Sequence, residues 1–189
     1  MPTEIWALIL AAGESRRLGS PKQQLQWQGR TLLQHAVQTA RAVVGEHIMV
    51  VLGCQAERLS RDLDCDWTTN PKWQEGMGSS LALGASRLPE HAAVLILLCD
   101  QPRITVADLA ELRDRFLSRP ENPAVSVYQQ TWGVPVLFPP TWRSRLLGLT
   151  GDRGARALLR DQENLTRVPM ENAAFDVDTP ADRQQLEQQ

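Results

Sequence analysis

The first apolar segment of the chain limits what it can fold into. Residues 5–10 are continuously apolar, and the run stops abruptly at the small residues Ala11, Ala12 and Gly13. A continuous apolar run of this length is typical of a strand covered on both faces, as in a parallel sheet between layers of helices. The segment therefore predicts a buried strand at the start of an α/β fold.

Predicted strands and helices alternate through the first 120 residues. Apolar residues at helical spacing predict helices, and short apolar runs predict strands. Thr105, followed three residues later by Asp108, marks one helix N-terminus. This alternation predicts an α/β layered fold with a mostly parallel sheet. The predicted helices are 31–44, 56–63, 79–88 and 105–118, and the predicted strands are 47–52, 66–69 and 93–98.

The pattern changes after Pro120, where the predicted elements become shorter. Residues 124–128 and 134–138 predict a hairpin or edge strands, and residues 175–178 predict a last short strand. A polar helix is expected at the C-terminus. With 189 residues and no low-complexity linker, we expect a single domain. The predicted helices of this part are 140–147, 154–160 and 181–188.

The loop after the first strand is rich in small residues and carries Arg16, Arg17 and Lys22. Glycines let backbone N–H groups approach a ligand, and cations neutralise an anionic one, so the loop predicts a polyphosphate site. It is not a Walker loop, because Lys22 follows Pro21 and precedes Gln23. Its two glycines are also too far apart for a dinucleotide fingerprint. The alternative is a surface turn with solvated basic residues.

Two aspartates end apolar segments just before a proline turn. Asp100 follows the predicted strand 93–98, and Asp178 ends the predicted strand 175–178, in which Asp176 would share its side. Ligands of open α/β sheets bind beyond the carboxyl ends of strands, and Mg²⁺ takes carboxylates together with substrate phosphates. These aspartates are therefore candidate metal ligands. The alternatives are a turn cap for Asp100 and a helix N-cap for Asp178.

Three glycine-containing segments are further candidates for ligand contact. Residues 70–81 lead into a helix whose free N–H groups suit ribose or phosphate oxygens, although Ser79 could be only an N-cap. Trp73 could stack on a base or pack in the core. Residues 133–138 could expose backbone to a second substrate or form a plain hairpin. Residues 151–156 combine glycines with arginines, which suits a phosphate, or they open a capped surface helix.

Composition argues against binding to nucleic acid or membranes, against secretion, and against zinc or disulfide sites. The net charge of −2 provides no general attraction to nucleic acid or to an anionic membrane. The apolar runs are too short to cross a bilayer, and no secretory signal is evident. Cys54, Cys65 and Cys99 lack C-x-x-C spacing, so neither a zinc site nor a disulfide framework is expected, and a reducing cytoplasm fits best.

The motifs occur in a fixed order between Leu10 and Asp182. They are LAAG-x-S-x-R-x-G-x-x-K, N-P-x-W-x-x-G-M-G-S-S-L, L-C-D-Q-P, G-x-P, G-D-x-G-A-R and D-x-D-T-P-x-D. Together they resemble the molybdenum-cofactor nucleotidylyltransferases, most closely their cytidylyltransferase branch. The first motif alone marks only the wider superfamily, and the later motifs are narrower. The resemblance implies a Rossmann-like three-layer α/β/α sandwich, with residues 1–120 binding a nucleoside triphosphate and residues 121–189 binding its acceptor.

The resemblance also implies roles for individual residues. Lys22, Arg17 and Asp100 would be catalytic, and Asp100 and Asp178 would hold Mg²⁺. The nucleotide-binding residues would be Leu10, Ala11, Ala12, Gly13, Ser15, Arg16, Gly19, Asn70, Gly76, Gly78, Ser79 and Ser80. The acceptor-binding residues would be Gly133, Pro135, Gly151, Asp152, Gly154 and Arg156.

The implied reaction transfers CMP from CTP to the terminal phosphate of a molybdopterin-type cofactor and releases pyrophosphate. The guanylyl branch typically reads L-A-G-G where this chain has Ala12, which favours CTP. Guanylyl transfer, or transfer to a sugar or polyol phosphate, is the alternative enzyme. A non-enzymatic alternative is a chaperone that binds the finished cofactor and delivers it to a molybdoenzyme, which is also the expected recipient of the enzyme's product.

Overall fold

The computed structural model describes residues 3–188. Within them, a central sheet has seven strands in the order β5-β4-β1-β6-β8-β7-β9, and β2 and β3 form a separate two-stranded hairpin. All strands of the central sheet run in one direction except β8, which is antiparallel to both neighbours. The strands are β1 (Ile5–Ala11), β2 (Gln26–Trp27), β3 (Arg30–Thr31), β4 (Ile48–Leu52), β5 (Asp66–Thr69), β6 (Ala93–Leu98), β7 (Ala124–Tyr128), β8 (Thr131–Phe138) and β9 (Thr166–Pro169).

The helices begin close to their predicted starts. Capping boxes at Thr31, Thr105 and Thr179 satisfy N–H groups of the first turn, so these three helices start at the residue that follows each threonine. The predicted helix 56–63 is shorter and continues as a 3₁₀ turn over Ser60–Asp62. The helices are α1 (Leu32–Val44), α2 (Ala56–Leu59), α3 (Met77–Arg87), α4 (Val106–Ser118), α5 (Arg143–Leu147), α6 (Ala155–Leu159) and α7 (Pro180–Glu187).

Helices cover the sheet on both faces, which confirms the three-layer prediction. On one face, α1 and α4 bury Leu33, Leu112 and Phe116 against the sheet. On the other face, α3 and α5 contribute Leu81 and Leu146 to a second apolar cluster. Strand β1 lies at the centre and is buried on both faces, as its continuous apolar run predicts. No helix within residues 3–188 is long and apolar enough to cross a membrane.

The hairpin prediction is confirmed, but its second strand is longer and more central than expected. Strand β8 starts at Thr131 and lies between β6 and β7, so it is not an edge strand. Between the pairs Val125–Val136 and Ser126–Gly133 the register shifts. Two residues of β8, Val134 and Pro135, therefore have no partner on β7 and form a bulge.

The strand predicted at residues 175–178 is wrong, and β9 was missed. Phe175 and Val177 are buried and Asp176 is exposed, which reproduces the alternation of a strand. The segment instead crosses the carboxyl edge of the sheet, where Val177 N donates to Asp100 O and Asp178 N donates to the Asp182 carboxylate. Phe175 and Val177 pack in a small cluster with Leu18 and Leu186. An alternating pattern thus reports burial on one side and does not require a paired strand.

Candidate active site

A cleft of about 430 Å³ opens at the carboxyl edge of the sheet. Because β1 and β6 are parallel neighbours, the loops that follow them meet there. Of the residues predicted to bind ligands, eleven line this cleft: Leu10, Ala11, Ala12, Gly13, Ser15, Arg16, Lys22, Gly76, Ser80, Asp100 and Asp152. Asp152 was assigned to the acceptor, yet it lies in the same cleft as the loop that begins at the end of β1, residues 11–22, which we call the phosphate-type loop. The cleft is also lined by Glu14, Gln23, Trp73, Gln74, Met77, Leu98 and Cys99.

The loop after β1 is held in shape by its own hydrogen bonds. The carbonyl of Ser15 accepts from the N–H groups of Leu18 and Gly19, and Ser15 Oγ accepts from Lys22 N at 3.1 Å. Gly19 has a φ of +74°, which lets the chain reverse before Lys22. Ser15 and Gly19 therefore shape the loop. In the described residues, the N–H groups of Gly13 and Glu14 donate to no protein acceptor, so they are free to bind an anion.

Lys22 connects the two predicted metal ligands. Its ammonium group donates to Asp100 Oδ2 and, at 2.9 Å, to Asp178 Oδ1. Burial alone would lower the pKa of Lys22, but the two carboxylates outweigh burial and raise it above its ordinary value. Partial burial likewise opposes ionisation of Asp178, yet Lys22 and Arg17 lower its pKa below the usual range. Lys22 and Asp178 are therefore charged at neutral pH.

Asp100 keeps one oxygen available for a ligand. The residue is 8 % exposed, and its Oδ1 atom is buried without a hydrogen-bond partner. A buried carboxylate oxygen left unpaired is costly, and a hard cation such as Mg²⁺ would satisfy it. Asp178 offers the second carboxylate. Among residues 3–188, however, no three His, Cys, Asp or Glu side chains are placed together as metal ligands. Substrate phosphates or water would have to supply the other ligands.

Asp176 is close enough to this group to feel its charge. Burial by the surrounding protein, together with the nearby negative charge of Asp100, raises the pKa of Asp176 to about 6. The side chain nevertheless keeps contact with solvent. The sequence predicted that Asp176 and Asp178 share a side, but Asp178 alone reaches Lys22. Asp176 thus lies beside the carboxylate pair and makes no bond to the lysine.

The two arginines of the loop differ in their partners. Arg17 donates to Asp178 Oδ2 at 2.7 Å, so it supports the lysine–carboxylate cluster from outside the cleft. Arg16 lines the cleft and pairs with Glu14 at 2.7 Å, and both side chains are largely exposed. An exposed pair of this kind contributes little to stability, so Arg16 can exchange its partner for an anionic ligand.

Asn70 is a buried residue whose side chain links the segment before α3 to the first turn of that helix. It is 3 % exposed, and its amide group donates to Ser79 Oγ and Ser80 Oγ at 2.9 Å. Its Oδ1 atom accepts from Lys72 N at 2.9 Å. Ser79 is not the N-cap of α3, since Gly76 holds that position. Asn70 and Ser79 therefore position the segment before α3, and only Ser80 of this trio reaches the cleft.

The predicted nucleotide and acceptor glycines pack against one another. Gly78 N donates to Gly151 O at 2.8 Å. A side-chain carbon on Gly78 would lie 2.7 Å from Thr150 O, and one on Gly76 would overlap the Gly151 carbonyl and Asp152. Gly154 similarly lies against Met77 Sδ. The G-M-G-S-S and G-D-x-G-A-R motifs thus join two segments at the wall of one cleft.

We expect Gly78→Ala to destabilise the protein by about 1–3 kcal/mol, because the added carbon meets a backbone carbonyl that cannot rotate away. Urea unfolding would measure the change. Gly148→Ala is the matched control, since its added carbon would make only an ordinary 3.5 Å contact. A Gly78 variant as stable as the Gly148 variant would show that the two segments can separate freely.

The remaining predicted acceptor residues lie on β8 and α6. Gly133 is buried under the Tyr128 hydroxyl group, which occupies the space of a side chain there. Arg156 Nε donates to Trp132 O at 2.9 Å. The buried Pro135 carbonyl accepts from Ser126 Oγ at 2.7 Å, so Pro135 has a structural contact inside the sheet. These residues do not line the cleft described above.

Sequence reasoning missed the contributions of Gln23 and Met77. Gln23 is 1 % exposed and donates to two carbonyls of the phosphate-type loop. Met77 is 40 % exposed, which is unusual for a large apolar side chain, and it lies at the cleft wall. Nothing in the local sequence predicts that Gln23, a polar residue beside Lys22 in a short 3₁₀ turn, is buried. For Met77, the two flanking glycines were the sequence feature that could have indicated a place at the cleft.

The sheet order, the small-residue loop and the paired carboxylates at one edge define a nucleotide-binding α/β protein of the nucleotidyltransferase class. Comparison with known proteins makes the assignment narrower. A model of the MobA-like NTP transferase domain matches residues 7–167. The chain belongs to this family and is a MobA-like nucleotidyltransferase.

Individual relatives cover almost the whole chain. Nicotine blue oxidoreductase of Paenarthrobacter nicotinovorans is 28 % identical, covering 93 % of this chain and 92 % of its own. Molybdenum cofactor guanylyltransferase of Pseudomonas syringae pv. syringae is 28 % identical, covering 89 % and 84 %. Two structures of Rv0371c from Mycobacterium tuberculosis superpose over 100 % of both chains, with TM-scores of 0.89 and 0.83 at 28 % and 25 % identity. The second of these is a complex with manganese.

Proposed function

We propose that this protein transfers CMP from CTP to the terminal phosphate of a molybdopterin-type cofactor, with release of pyrophosphate. The observation that carries the proposal is the position of Lys22, which joins Asp100 and Asp178 at the end of a loop with free N–H groups. A cation, two carboxylates and backbone donors at one sheet edge suit a metal-bound triphosphate. The relative named as a molybdenum cofactor guanylyltransferase supports the type of acceptor.

The reaction needs positioning and charge neutralisation more than proton transfer. A phosphate monoester has a second pKa of about 6, so the attacking acceptor is largely dianionic at neutral pH and requires no general base. The barrier comes from bringing two anions together and from charge that develops on the leaving pyrophosphate. Preorganised donors and cations lower such a barrier.

Each loop residue has a distinct part in this scheme. The N–H groups of Gly13 and Glu14 would bind phosphate oxygens, and Arg16 would leave Glu14 to bind the triphosphate. Lys22 would turn from the carboxylates to the charge that develops on the phosphates. Asp100, through its unpartnered Oδ1, and Asp178 would hold Mg²⁺. When bound, Mg²⁺ supplies a Lewis acid that neutralises phosphate charge.

Base choice would depend on Ala12. This residue lines the cleft and is 7 % exposed, so its methyl group occupies space at the start of the loop. The guanylyl branch typically reads L-A-G-G, and a glycine at the position of Ala12 would leave that space open. One methyl group in a pocket changes discrimination by about 10- to 200-fold. Ala12 is therefore expected to favour the smaller pyrimidine base.

Pyrophosphate release tests the proposal. The protein is incubated with Mg²⁺, molybdenum cofactor and one of CTP, GTP, ATP or UTP, and initial rates are compared. We expect the highest rate with CTP. In Ala12→Gly we expect the ratio of CTP to GTP rates to fall by about tenfold or more, because the space reserved by the methyl group is removed.

Other outcomes would replace parts of the proposal. A GTP preference would keep the reaction class and overturn the base assignment. Pyrophosphate release only with a sugar or polyol phosphate would overturn the acceptor. Tight cofactor binding without release from any nucleotide would indicate a chaperone that delivers the cofactor to a molybdoenzyme.

A further inference from the structure

Gln23 has a buried side-chain amide that donates hydrogen bonds to the backbone of the phosphate-type loop. Its Nε2 atom donates to Ala11 O at 3.0 Å and to Gly13 O at 2.8 Å, so both N–H bonds of the amide are used. The two carbonyls belong to the residues on either side of Ala12. The residue is 1 % exposed and directly follows Lys22 in the chain.

The intervening carbonyl points to a different neighbour. Ala12 O accepts from Cys54 N at 3.0 Å, in the loop that follows β4. Three successive peptide planes are thus fixed, two by Gln23 and one by Cys54. In a planar trans peptide the C=O and N–H bonds point in opposite directions. Directing the Ala11 and Gly13 carbonyls toward Gln23 therefore turns the N–H groups of Ala12 and Glu14 away from it.

The contacts of Gln23 are poorly explained by packing alone. Its Oε1 atom is buried and has no hydrogen-bond partner among the described residues. An apolar side chain of similar length, such as methionine, would fill the same space without burying an unpaired oxygen. What methionine lacks is the pair of donors. The amide at this position is thus accounted for by the conformation that it imposes on the loop.

We propose that Gln23 is a positioning residue that sets the backbone donors of residues 12–14 for the triphosphate. This inference rests on the proposed function of the cleft. With the peptide planes fixed before the ligand arrives, the N–H groups need no reorganisation to bind phosphate. Gln23 itself touches neither the phosphates nor the metal. Its effect passes through the main chain of the loop.

Gln23→Met and Gln23→Glu test the role, with Gln24→Met as the matched control. Gln24 lies in the same 3₁₀ turn, but its side chain makes no hydrogen bond within residues 3–188 and does not line the cleft. Gln23→Met removes both donors. Gln23→Glu keeps the shape but directs a carboxylate at two carbonyl oxygens.

Three readouts separate positioning from general support of the fold. Removing a residue that orients metal ligands typically costs about 10- to 100-fold in affinity or activity, and Gln23 orients the loop donors in the same indirect way. We expect a loss of this size in CTP·Mg²⁺ affinity by calorimetry for Gln23→Met, and a larger loss for Gln23→Glu. Hydrogen exchange at Leu18, Gly19 and Cys54, whose N–H groups donate to Ser15 O and Ala12 O of the loop, should quicken while β1 stays protected. The KM for the acceptor should match that of Gln24→Met, and the melting temperature should fall by only a few degrees, because two carbonyls lose their donor.

Each contrary result has a distinct meaning. If Gln23→Met binds CTP like the wild-type protein, the positioning role is overturned while the proposed function stands. If the melting temperature, the acceptor KM and the CTP affinity all deteriorate together, Gln23 merely supports the fold and the inference is again overturned. If the wild-type protein binds no nucleoside triphosphate, the proposed function fails and the role of Gln23 fails with it.

Discussion

Replacing Asp100 by asparagine is expected to lower the rate of pyrophosphate release by about 10²- to 10³-fold. The amide keeps the shape of the side chain but has no charge with which to hold Mg²⁺ or to balance Lys22. The Oδ1 position, buried and unpartnered in the wild-type protein, would lose most of its attraction for a cation. Steady-state kinetics at several Mg²⁺ concentrations measure the loss, which excess Mg²⁺ should not restore.

Binding of Mn²⁺ to the Asp100→Asn variant should weaken as well, and calorimetry can follow this without turnover. Asp161→Asn is the control, because Asp161 is an exposed carboxylate remote from Lys22 in the sequence and without a hydrogen-bond partner in the described part of the chain. Both variants should retain the circular dichroism of the wild-type protein. Full activity of a folded Asp100→Asn variant would remove Asp100 from the metal site.

Lys22→Met should also reduce turnover by about 10²- to 10³-fold, since the cation that neutralises the phosphates is lost. The same change should strengthen the binding of Mn²⁺ in the absence of nucleotide. In the wild-type protein the Lys22 ammonium occupies Asp100 and Asp178, so it competes with a metal ion for their oxygens. Opposite signs for turnover and metal binding would distinguish this role from a general loss of structure.

Lys72→Met provides the control for Lys22→Met. Lys72 is the other lysine of the chain, and within residues 3–188 its ammonium forms an ion pair only with the exposed Glu75, at 3.6 Å. Neither turnover nor Mn²⁺ affinity should change by more than about twofold, as expected of a surface charge. If Lys22→Met left metal binding as it is in the wild-type protein, the idea that Lys22 and the metal share two carboxylates would be wrong.

Two cations, Arg17 and Lys22, contact different carboxylate oxygens in the cluster of Lys22, Asp100 and Asp178. Arg17 neutralises the outer oxygen of Asp178, while Lys22 takes its other oxygen and Asp100. Under the proposed function, Arg17 would remain to keep Asp178 ionised when Lys22 turns to a triphosphate. The two cations have different roles because their positions differ: the Arg17 side chain is exposed, and the Lys22 side chain is largely buried.

Relatives of similar identity are named for different activities. One is named an oxidoreductase and another a guanylyltransferase, each at 28 % identity. Identity at this level therefore supports the family and the fold, and the acceptor has to be decided by the residues of the cleft. Here the cleft holds the Lys22 ammonium and free backbone donors, which are groups that bind phosphate, and the Asp100 carboxylate, which would bind phosphate through a metal ion.

Local sequence patterns determined much of this protein. The continuous apolar run of β1, the capping box at Thr105 and the chain reversal before Lys22 depend on residues within a few positions of one another. The same holds for Asp100, which follows a buried strand and so lies at the carboxyl edge. Such features can be read from the chain because their causes, burial on two faces and unsatisfied N–H groups, act over one or two turns.

Only the tertiary structure decided which distant segments meet. Lys22 and Asp178 are 156 residues apart, and their contact depends on the chain crossing the sheet edge at 175–178, where an isolated pattern predicted a strand. The packing of Gly78 on Thr150 and the two hydrogen bonds of Gln23 were equally out of reach. A glycine or an amide can contact a ligand or a neighbouring backbone equally well. These two roles can be distinguished only when the position of the partner is known.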